Sequence, residues 1–172
     1  MGLKFMSSVT RFFTRIVVAA AMIAGLAAAT PMAHAQGAFA GLEGRWSGSG
    51  TITLSSGARE SIRCRAIYAV SEAGRLLTLD LRCASDSYNF DLTGEFAADS
   101  NNAISGRWTE NSRGIGGTVV GTARGDRMQV HVESSGFSAD LTLVMHGRRQ
   151  DVTIDSHGGG EVVRASISMS RR

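Results

Sequence analysis

The chain has 172 residues, of which 43% are hydrophobic and 19% charged, and it contains 21 Gly, one Pro and two Cys. This length suffices for one domain with a substantial core, and the composition excludes a disordered chain. The net charge of +3 comes from Lys4, Arg11 and Arg15, because residues 36–172 carry as many basic as acidic side chains. The high isoelectric point therefore gives no reason to expect a nucleic-acid partner.

Residues 1–35 have the pattern of a secretory signal peptide. A basic segment ends at Arg15, an apolar stretch runs from Ile16 to Ala29, and Ala33-His34-Ala35 supplies a small-x-small cleavage pattern. The apolar stretch is shorter than the roughly 20 residues that a membrane-spanning helix needs. We therefore expect a mature chain that begins at Gln36, is exported to the periplasm or the extracellular space, and spans no membrane. The alternative is an uncleaved membrane anchor.

Residues 36–172 alternate apolar and polar side chains between regularly spaced turn residues, which is typical of strands. The pattern predicts strands at residues 43–54, 60–71, 76–84, 87–97, 103–110, 115–124, 127–134, 137–146, 149–156 and 161–170. Connections this short require antiparallel neighbours. We therefore predict a single all-β domain at 36–172, an up-and-down meander of about ten strands. Such a meander is either closed or nearly closed into a barrel, or folded as two packed sheets.

The register of the second and third predicted strands brings the two cysteines together. A turn at Ala73-Gly74 places Cys64 directly opposite Cys83. Opposed residues of an antiparallel pair are close enough to bridge, and an exported protein meets oxidising conditions. The sequence therefore predicts a Cys64–Cys83 disulfide, with two free buried thiols as the alternative.

The apolar rows of the predicted strands share one face. A turn at Gly158-Gly159, for example, opposes Ile154 to Val163. Charged side chains occupy the other face, so the apolar face is predicted to line the interior of a soluble barrel, not the lipid side of an outer-membrane one. Small residues interrupt it and leave either a ligand cavity or a filled core with closely spaced walls. These residues are Gly48, Gly50, Ala66, Gly94, Gly106, Ala139 and Ala165.

The first predicted strand opens with Gly44-Arg45-Trp46. This segment resembles the Gly-x-Trp motif of calycin-type barrels, the lipocalins and avidins. The resemblance implies a small secreted barrel in which Trp46 packs at the closed end. A similar segment, Gly106-Arg107-Trp108-Thr109, recurs 62 residues later. The recurrence reflects either a duplicated five-strand unit or chance.

Aromatic side chains of the inward face are the candidate ligand contacts, namely Trp46, Tyr68, Tyr88, Phe90 and Trp108. The predicted interior has almost no titratable group apart from the tyrosines and Glu110, whereas acid–base catalysis needs one held in a pocket. We therefore expect a non-catalytic protein that holds a small, largely apolar ligand and uses no cofactor. The alternative is a cell-envelope interaction or inhibitor-like module with a filled core, which binds a protein partner through loops or an Arg-rich face.

That Arg-rich face consists of Arg63, Arg65 and Arg82, with Arg65 predicted opposite Arg82. Like charges that face each other are unfavourable unless an anion bridges them. The cluster is therefore a candidate patch for an anion or an acidic partner. The alternative is a solvated face whose charge is relieved by Glu60 and Asp80.

His131 is predicted opposite Asp140, with Ser138 nearby. The three lie on the solvated face without a pocket or oxyanion donors, so we expect no catalytic triad. His131, His146 and His157 also lack the spacing of metal ligands, so we expect no metal site.

Overall fold

The computed structural model describes residues 37–172, and the predicted signal peptide at residues 1–35 lies outside the described residues. Ten strands form one closed antiparallel barrel, in which each strand pairs with the next and the last pairs with the first. The strands are β1 (Gly44–Leu54), β2 (Arg59–Ser71), β3 (Leu76–Ala84), β4 (Asn89–Ala98), β5 (Ala103–Glu110), β6 (Ile115–Arg124), β7 (Arg127–Ser134), β8 (Phe137–His146), β9 (Arg149–His157) and β10 (Val162–Arg171). The all-β meander is confirmed, and the pairing of β1 with β10 decides in favour of a barrel. Within residues 37–172, no helix is long and apolar enough to cross a membrane.

The β2–β3 hairpin has the predicted register. Cys64 pairs with Cys83, and their sulfurs form a disulfide with an S–S distance of 2.09 Å. The connection is a short 3-10 turn, Glu72–Gly74, instead of a two-residue turn. Because Ser71 still pairs with Leu76, the longer connection leaves the predicted pairs in place.

The predicted pairing of β9 with β10 is wrong. Ile154 pairs with Ala165 instead of Val163, because the connection spans residues 158–161 and is longer than a two-residue turn. The shift of two positions keeps each apolar row on its face. A bulge opposite the end of β1 additionally turns Val163 outward, where it is 38% exposed, although the alternation predicts that it faces inward.

One end of the barrel is closed by the segment that precedes β1, residues 37–42, here called the plug. Phe39 and Leu42 of the plug and Trp46 of β1 are each 1% exposed. The Phe39 N–H donates to the Gly74 carbonyl at 2.9 Å, and the Trp46 indole N–H donates to the Leu42 carbonyl at 2.7 Å. The plug is thus hydrogen-bonded to the β2–β3 turn and to the Trp46 side chain. Trp46 lies at the closed end, as its motif implies.

The opposite end, here called the mouth, is bordered by the connections that follow β1, β3, β5, β7 and β9. Inward-facing apolar side chains are partly exposed there and halfway down the barrel, among them Leu79, Leu81, Phe90, Trp108, Val130 and Leu141. Because these side chains point away from the outer surface, the space that exposes them lies inside the barrel. The accessible interior, here called the lumen, therefore extends from the mouth toward the plugged end.

The small inward-facing residues of β1 bring two strands close together. A Cβ atom on Gly48 would lie within 1.9 Å of the Ser168 carbonyl oxygen, and one on Gly50 within 2.0 Å of that of Ser166. Only glycine fits at these two positions, because the backbone of β10 occupies the space that a side chain would need. On this wall the small residues allow close strand packing, and the lumen lies against the wall formed by β3 to β9.

Candidate functional site

Two aromatic side chains flank one side of the mouth. Tyr88 and Phe90 have ring centroids 4.9 Å apart, and the Arg113 guanidinium lies 4.7 Å from the centre of the Tyr88 ring. Tyr88 precedes β4, which begins at Asn89 and not at the predicted residue 87. Tyr88 is therefore a residue of the loop before β4, where its ring is half-buried at the rim.

Hydrogen bonds to Glu60 hold that loop in place. The Glu60 carboxylate accepts the Ser85 hydroxyl at 2.7 Å, and the Ser87 N–H and hydroxyl at 3.0 and 2.5 Å. These bonds, led by the one from the Ser87 side chain, lower the pKa of Glu60. Its carboxylate therefore anchors the mouth loop, and the alternative in which Glu60 relieves the charge of the Arg-rich face has no support in these contacts.

A second carboxylate, that of Glu110, is buried at the rim with an exposure of 5%. It accepts the N–H groups of Asp91, Ser112 and Arg113 at 3.1, 3.3 and 2.8 Å, and it pairs with the Arg113 guanidinium at 3.5 Å. Burial by itself raises the pKa of Glu110, but these hydrogen bonds outweigh burial and hold it below its ordinary value. Glu110 is thus an ionised structural group whose oxygens are already occupied.

Trp108 lines the wall of the lumen between two glycines, Gly94 of β4 and Gly117 of β6. The absence of a side chain at Gly117 leaves room for the wide indole, whereas the Phe96 ring fills the space at Gly94. The edge of the indole meets the Phe137 ring at a centroid distance of 6.3 Å. The indole nitrogen lies only 3.0 Å from where a Cβ atom of Gly117 would be. This nitrogen is buried without a hydrogen-bond partner among the described residues.

A polar pair crosses the barrel near its closed end. Gln150 is 0% exposed and Tyr68 6%, and the Gln150 side-chain nitrogen lies 3.1 Å from the Tyr68 hydroxyl. Since β1 and β10 separate β2 from β9 around the barrel, this hydrogen bond spans the interior. Burial raises the pKa of Tyr68 to about 12. Sequence reasoning missed Gln150, although it falls on the inward alternation of β9, two positions before Val152.

The Arg-rich face lies on the outside of the barrel. Arg65 pairs with Arg82 in the β2–β3 ladder, and Arg82 is neutralised by Asp91 and Asp80 at 3.5 and 3.8 Å. Arg63 and Arg65 have no ion pair within the part of the chain that the structure describes. A shallow groove runs beside them and is lined by Ser47, Ser49 and Arg172 as well.

His131 and His157 share one exposed carboxylate. The Asp140 oxygens lie 2.8 Å from His131 Nδ1 and 3.0 Å from His157 Nε2. These hydrogen bonds, that of His131 first, lower the pKa of Asp140. Ser138 donates to the His157 carbonyl at 3.3 Å and not to His131, so the described residues contain no Ser-His-Asp relay at this place. In residues 37–172, no group of three His, Cys, Asp or Glu side chains is arranged to hold a metal ion.

No protein-family model matches the chain, and no curated protein matches it in sequence. Among solved structures, Rv2717c from M. tuberculosis is similar with a TM-score of 0.64 and 15% identity, over 78% of this chain and 95% of that one. The S-type phycobiliprotein lyase CPES from Guillardia theta has a TM-score of 0.56 and 11% identity, over 78% and 89%. A redesigned β-barrel, mFAP1, bound to DFHBI, has a TM-score of 0.44 and 10% identity, over 78% and 98%. The first two likenesses agree with the closed barrel fold of this chain, and at these identities they concern the fold alone.

Proposed function

We propose that the protein is an exported, non-catalytic binding protein that holds a small, largely apolar molecule in the lumen of its barrel. The observation that carries this proposal is the row of partly exposed apolar side chains on the inner wall. Protein interiors are ordinarily packed without such gaps. An apolar guest would remove this surface from water, at about 25 cal/mol for each Å².

The two ends of the barrel differ in a way that suits a carrier. The plug closes one end, so the mouth beside Tyr88, Phe90 and Trp108 is the expected entrance. These three aromatic side chains supply broad apolar contact surfaces. Trp46 is 1% exposed and meets Tyr68 edge-on at 6.3 Å, so it supports the inner end of the lumen, and its direct contact with a ligand stays a prediction.

The inward-facing polar groups support a binding role over catalysis. Tyr68, with a pKa of about 12, is protonated at neutral pH, and the Glu110 oxygens are taken by the rim backbone. A general acid or base needs a pKa near the working pH and free access to its substrate. Export rests on the signal-peptide pattern and agrees with the Cys64–Cys83 disulfide.

Binding of N-phenyl-1-naphthylamine, an apolar dye that fluoresces in dry surroundings, tests the proposal. Val132 and Val120 form a matched pair, because Val132 lines the lumen near the mouth whereas Val120 points outward and is 56% exposed. Val132→Trp should fill the lumen and weaken dye binding at least tenfold. Val120→Trp, which adds the same side chain outside, should leave the affinity unchanged.

A second lumen variant covers the case in which Val132→Trp does not fold. Ile154→Phe adds less volume to the same wall of the lumen, on β9 and two strands away from Val132, and should weaken dye binding severalfold. Equal affinities in wild type, the two lumen variants and Val120→Trp would refute binding in the lumen. So would the absence of saturable dye binding to the wild-type protein.

The Arg-rich face favours a second candidate function, the binding of an acidic partner. Arg63 and Arg65 stand beside each other on the outer surface without ion pairs in the described chain, and Arg172 borders the same groove while donating to the Ser47 hydroxyl at 2.7 Å. A protein that works through this face should lose its partner on Arg63→Gln/Arg65→Gln and keep it on Val132→Trp. A carrier that works through the lumen should show the reverse.

A further inference from the structure

The buried Tyr68–Gln150 pair has one hydrogen-bonding atom without a partner among the described residues. Gln150 is 0% exposed, and its side-chain oxygen has no donor among the described residues. If the amide were turned over, its oxygen would accept from Tyr68 and its nitrogen would be left without an acceptor. In either orientation one end of the amide stays unpaired. An unpaired buried polar group lowers the free energy of unfolding by about 1–3 kcal/mol. Buried polar groups in native proteins therefore nearly always have a hydrogen-bond partner, such as a ligand or a water molecule.

The lumen reaches the level of this pair. Leu79 is the direct cross-strand neighbour of Tyr68, faces inward, and is partly exposed. Since the plug closes the barrel at this end and Tyr68 is 6% exposed, Tyr68 together with the Gln150 amide that is bonded to it forms the polar floor of the lumen. A molecule that enters from the mouth would meet apolar side chains along the wall and this pair at the bottom.

Among residues 37–172, two further buried polar atoms lack a hydrogen-bond partner, and neither of them borders the floor. The Trp108 indole nitrogen lies against the backbone at Gly117 in the wall. The Arg171 Nε atom belongs to a guanidinium that covers Trp46 at 5.0 Å and donates to the Gly41 carbonyl of the plug. Among the described residues, Gln150 is therefore the unpaired polar side chain that lies just behind the bottom of the lumen, where it is bonded to Tyr68.

The floor is polar but uncharged, which limits what it can receive. Neither Tyr68 nor Gln150 carries charge near neutral pH, and the inward carboxylates of Glu60 and Glu110 lie at the mouth. The Arg171 guanidinium at the closed end is already engaged, because it covers Trp46 and donates to the Gly41 carbonyl of the plug. A carboxylate or ammonium buried at the floor without a counter-ion would be strongly disfavoured. A hydroxyl, carbonyl or amide group suits Tyr68 and Gln150, because the pair offers both donors and acceptors.

We propose that the lumen selects an amphipathic molecule with a neutral hydrogen-bonding head, which binds head first to Tyr68 and Gln150 with its apolar part directed toward the mouth. This inference rests on the proposed function, since it assigns the chemical class of the ligand to the same lumen. It adds a polar specificity site at the closed end that apolar packing alone does not require.

Competition with the bound dye by three molecules of equal chain length tests the assignment. Octan-1-ol, 1-chlorooctane and octanoate are unbranched chains of eight carbon atoms each. They end in a neutral hydroxyl, in a chlorine atom that hydrogen-bonds poorly, and in a charged carboxylate, respectively. In the wild-type protein, octan-1-ol should displace N-phenyl-1-naphthylamine at least tenfold more effectively than either of the others. In Tyr68→Phe/Gln150→Leu, octan-1-ol should lose this advantage while 1-chlorooctane keeps its wild-type affinity.

The single variant Tyr68→Phe, which removes one hydroxyl, gives a second and independent test, and it should reduce the octan-1-ol preference severalfold. An octan-1-ol preference that is absent from wild type, or that persists unchanged in the variants, would overturn the assignment. In that case a buried water is the sole partner of the amide, and dye binding that responds to Val132→Trp would still support the lumen. Failure of all three competitors and of the dye to bind would overturn both proposals.

Discussion

Replacing the polar floor by apolar side chains is expected to stabilise the unliganded protein, which is unusual for a fully buried site. Gln150 is 0% exposed and its oxygen is unpaired. Tyr68→Phe/Gln150→Leu removes that unpaired group, worth about 1–3 kcal/mol, and sacrifices one hydrogen bond worth about 1 kcal/mol. The net effect on the free energy of unfolding is a change between zero and about +2 kcal/mol, whereas an average substitution lowers it by about 1 kcal/mol.

Urea denaturation of wild type, both single variants and the double variant measures this effect as a double-mutant cycle. Tyr68→Phe leaves the whole amide unpaired and Gln150→Leu leaves the Tyr68 hydroxyl unpaired, so each single variant should be less stable than the double variant. A double variant that is less stable than wild type by more than about 2 kcal/mol would refute the reasoning. That result would mean that the amide is fully hydrogen-bonded in the unliganded protein.

Three further predictions concern the plug, the rim and the disulfide. Phe39→Ala should lower the free energy of unfolding by about 3–5 kcal/mol, because Phe39 is 1% exposed in the closed end. A loss below about 1 kcal/mol would show that the plug does not belong to the core. Glu110→Gln should be less stable than wild type at neutral pH. The folded-state pKa of Glu110 lies below its ordinary 4.5. The stability difference between wild type and Glu110→Gln is therefore fully present above pH 4.5 and is lost as the pH falls through the folded-state pKa. A stability difference that urea denaturation finds unchanged at about pH 3 would contradict the role of the carboxylate. Cys64→Ala/Cys83→Ala should cost less than about 3 kcal/mol, because the hairpin already holds both residues together, and a barrel that no longer folds cooperatively would contradict this.

The strands and most of their pairs follow from the sequence because both depend on local patterns. Period-two alternation fixes which face each residue occupies, and a hairpin passes the register from one strand to the next. The pairing of Cys64 with Cys83 is predicted on these grounds and is observed. The same reasoning predicts the wrong register for the β9–β10 pair. That register depends on the length of the Gly-rich connection and on a bulge where β10 pairs with β1.

The polar floor and the rim could be predicted only in part. Glu110 stands out as an acid at a strand end, but its burial follows from hydrogen bonds to Asp91 and Arg113 that only the folded hairpins bring together. Gln150 lies beside a turn, where a polar residue is ordinary in a sequence. Its importance arises because the closed barrel places it across the interior from Tyr68, and no local pattern records that contact.

The central claim, a lumen open at the mouth and closed at the plug, is tested most directly with the two tryptophans as reporters. Trp108 lines the lumen, whereas Trp46 is 1% exposed at the closed end. A bromoalkane such as 1-bromooctane quenches indole fluorescence on contact, and Trp46→Phe and Trp108→Phe each leave a single emitter. We expect saturable quenching of Trp108 in Trp46→Phe and little quenching of Trp46 in Trp108→Phe. Equal quenching of the two, or quenching of Trp46 alone, would contradict the account.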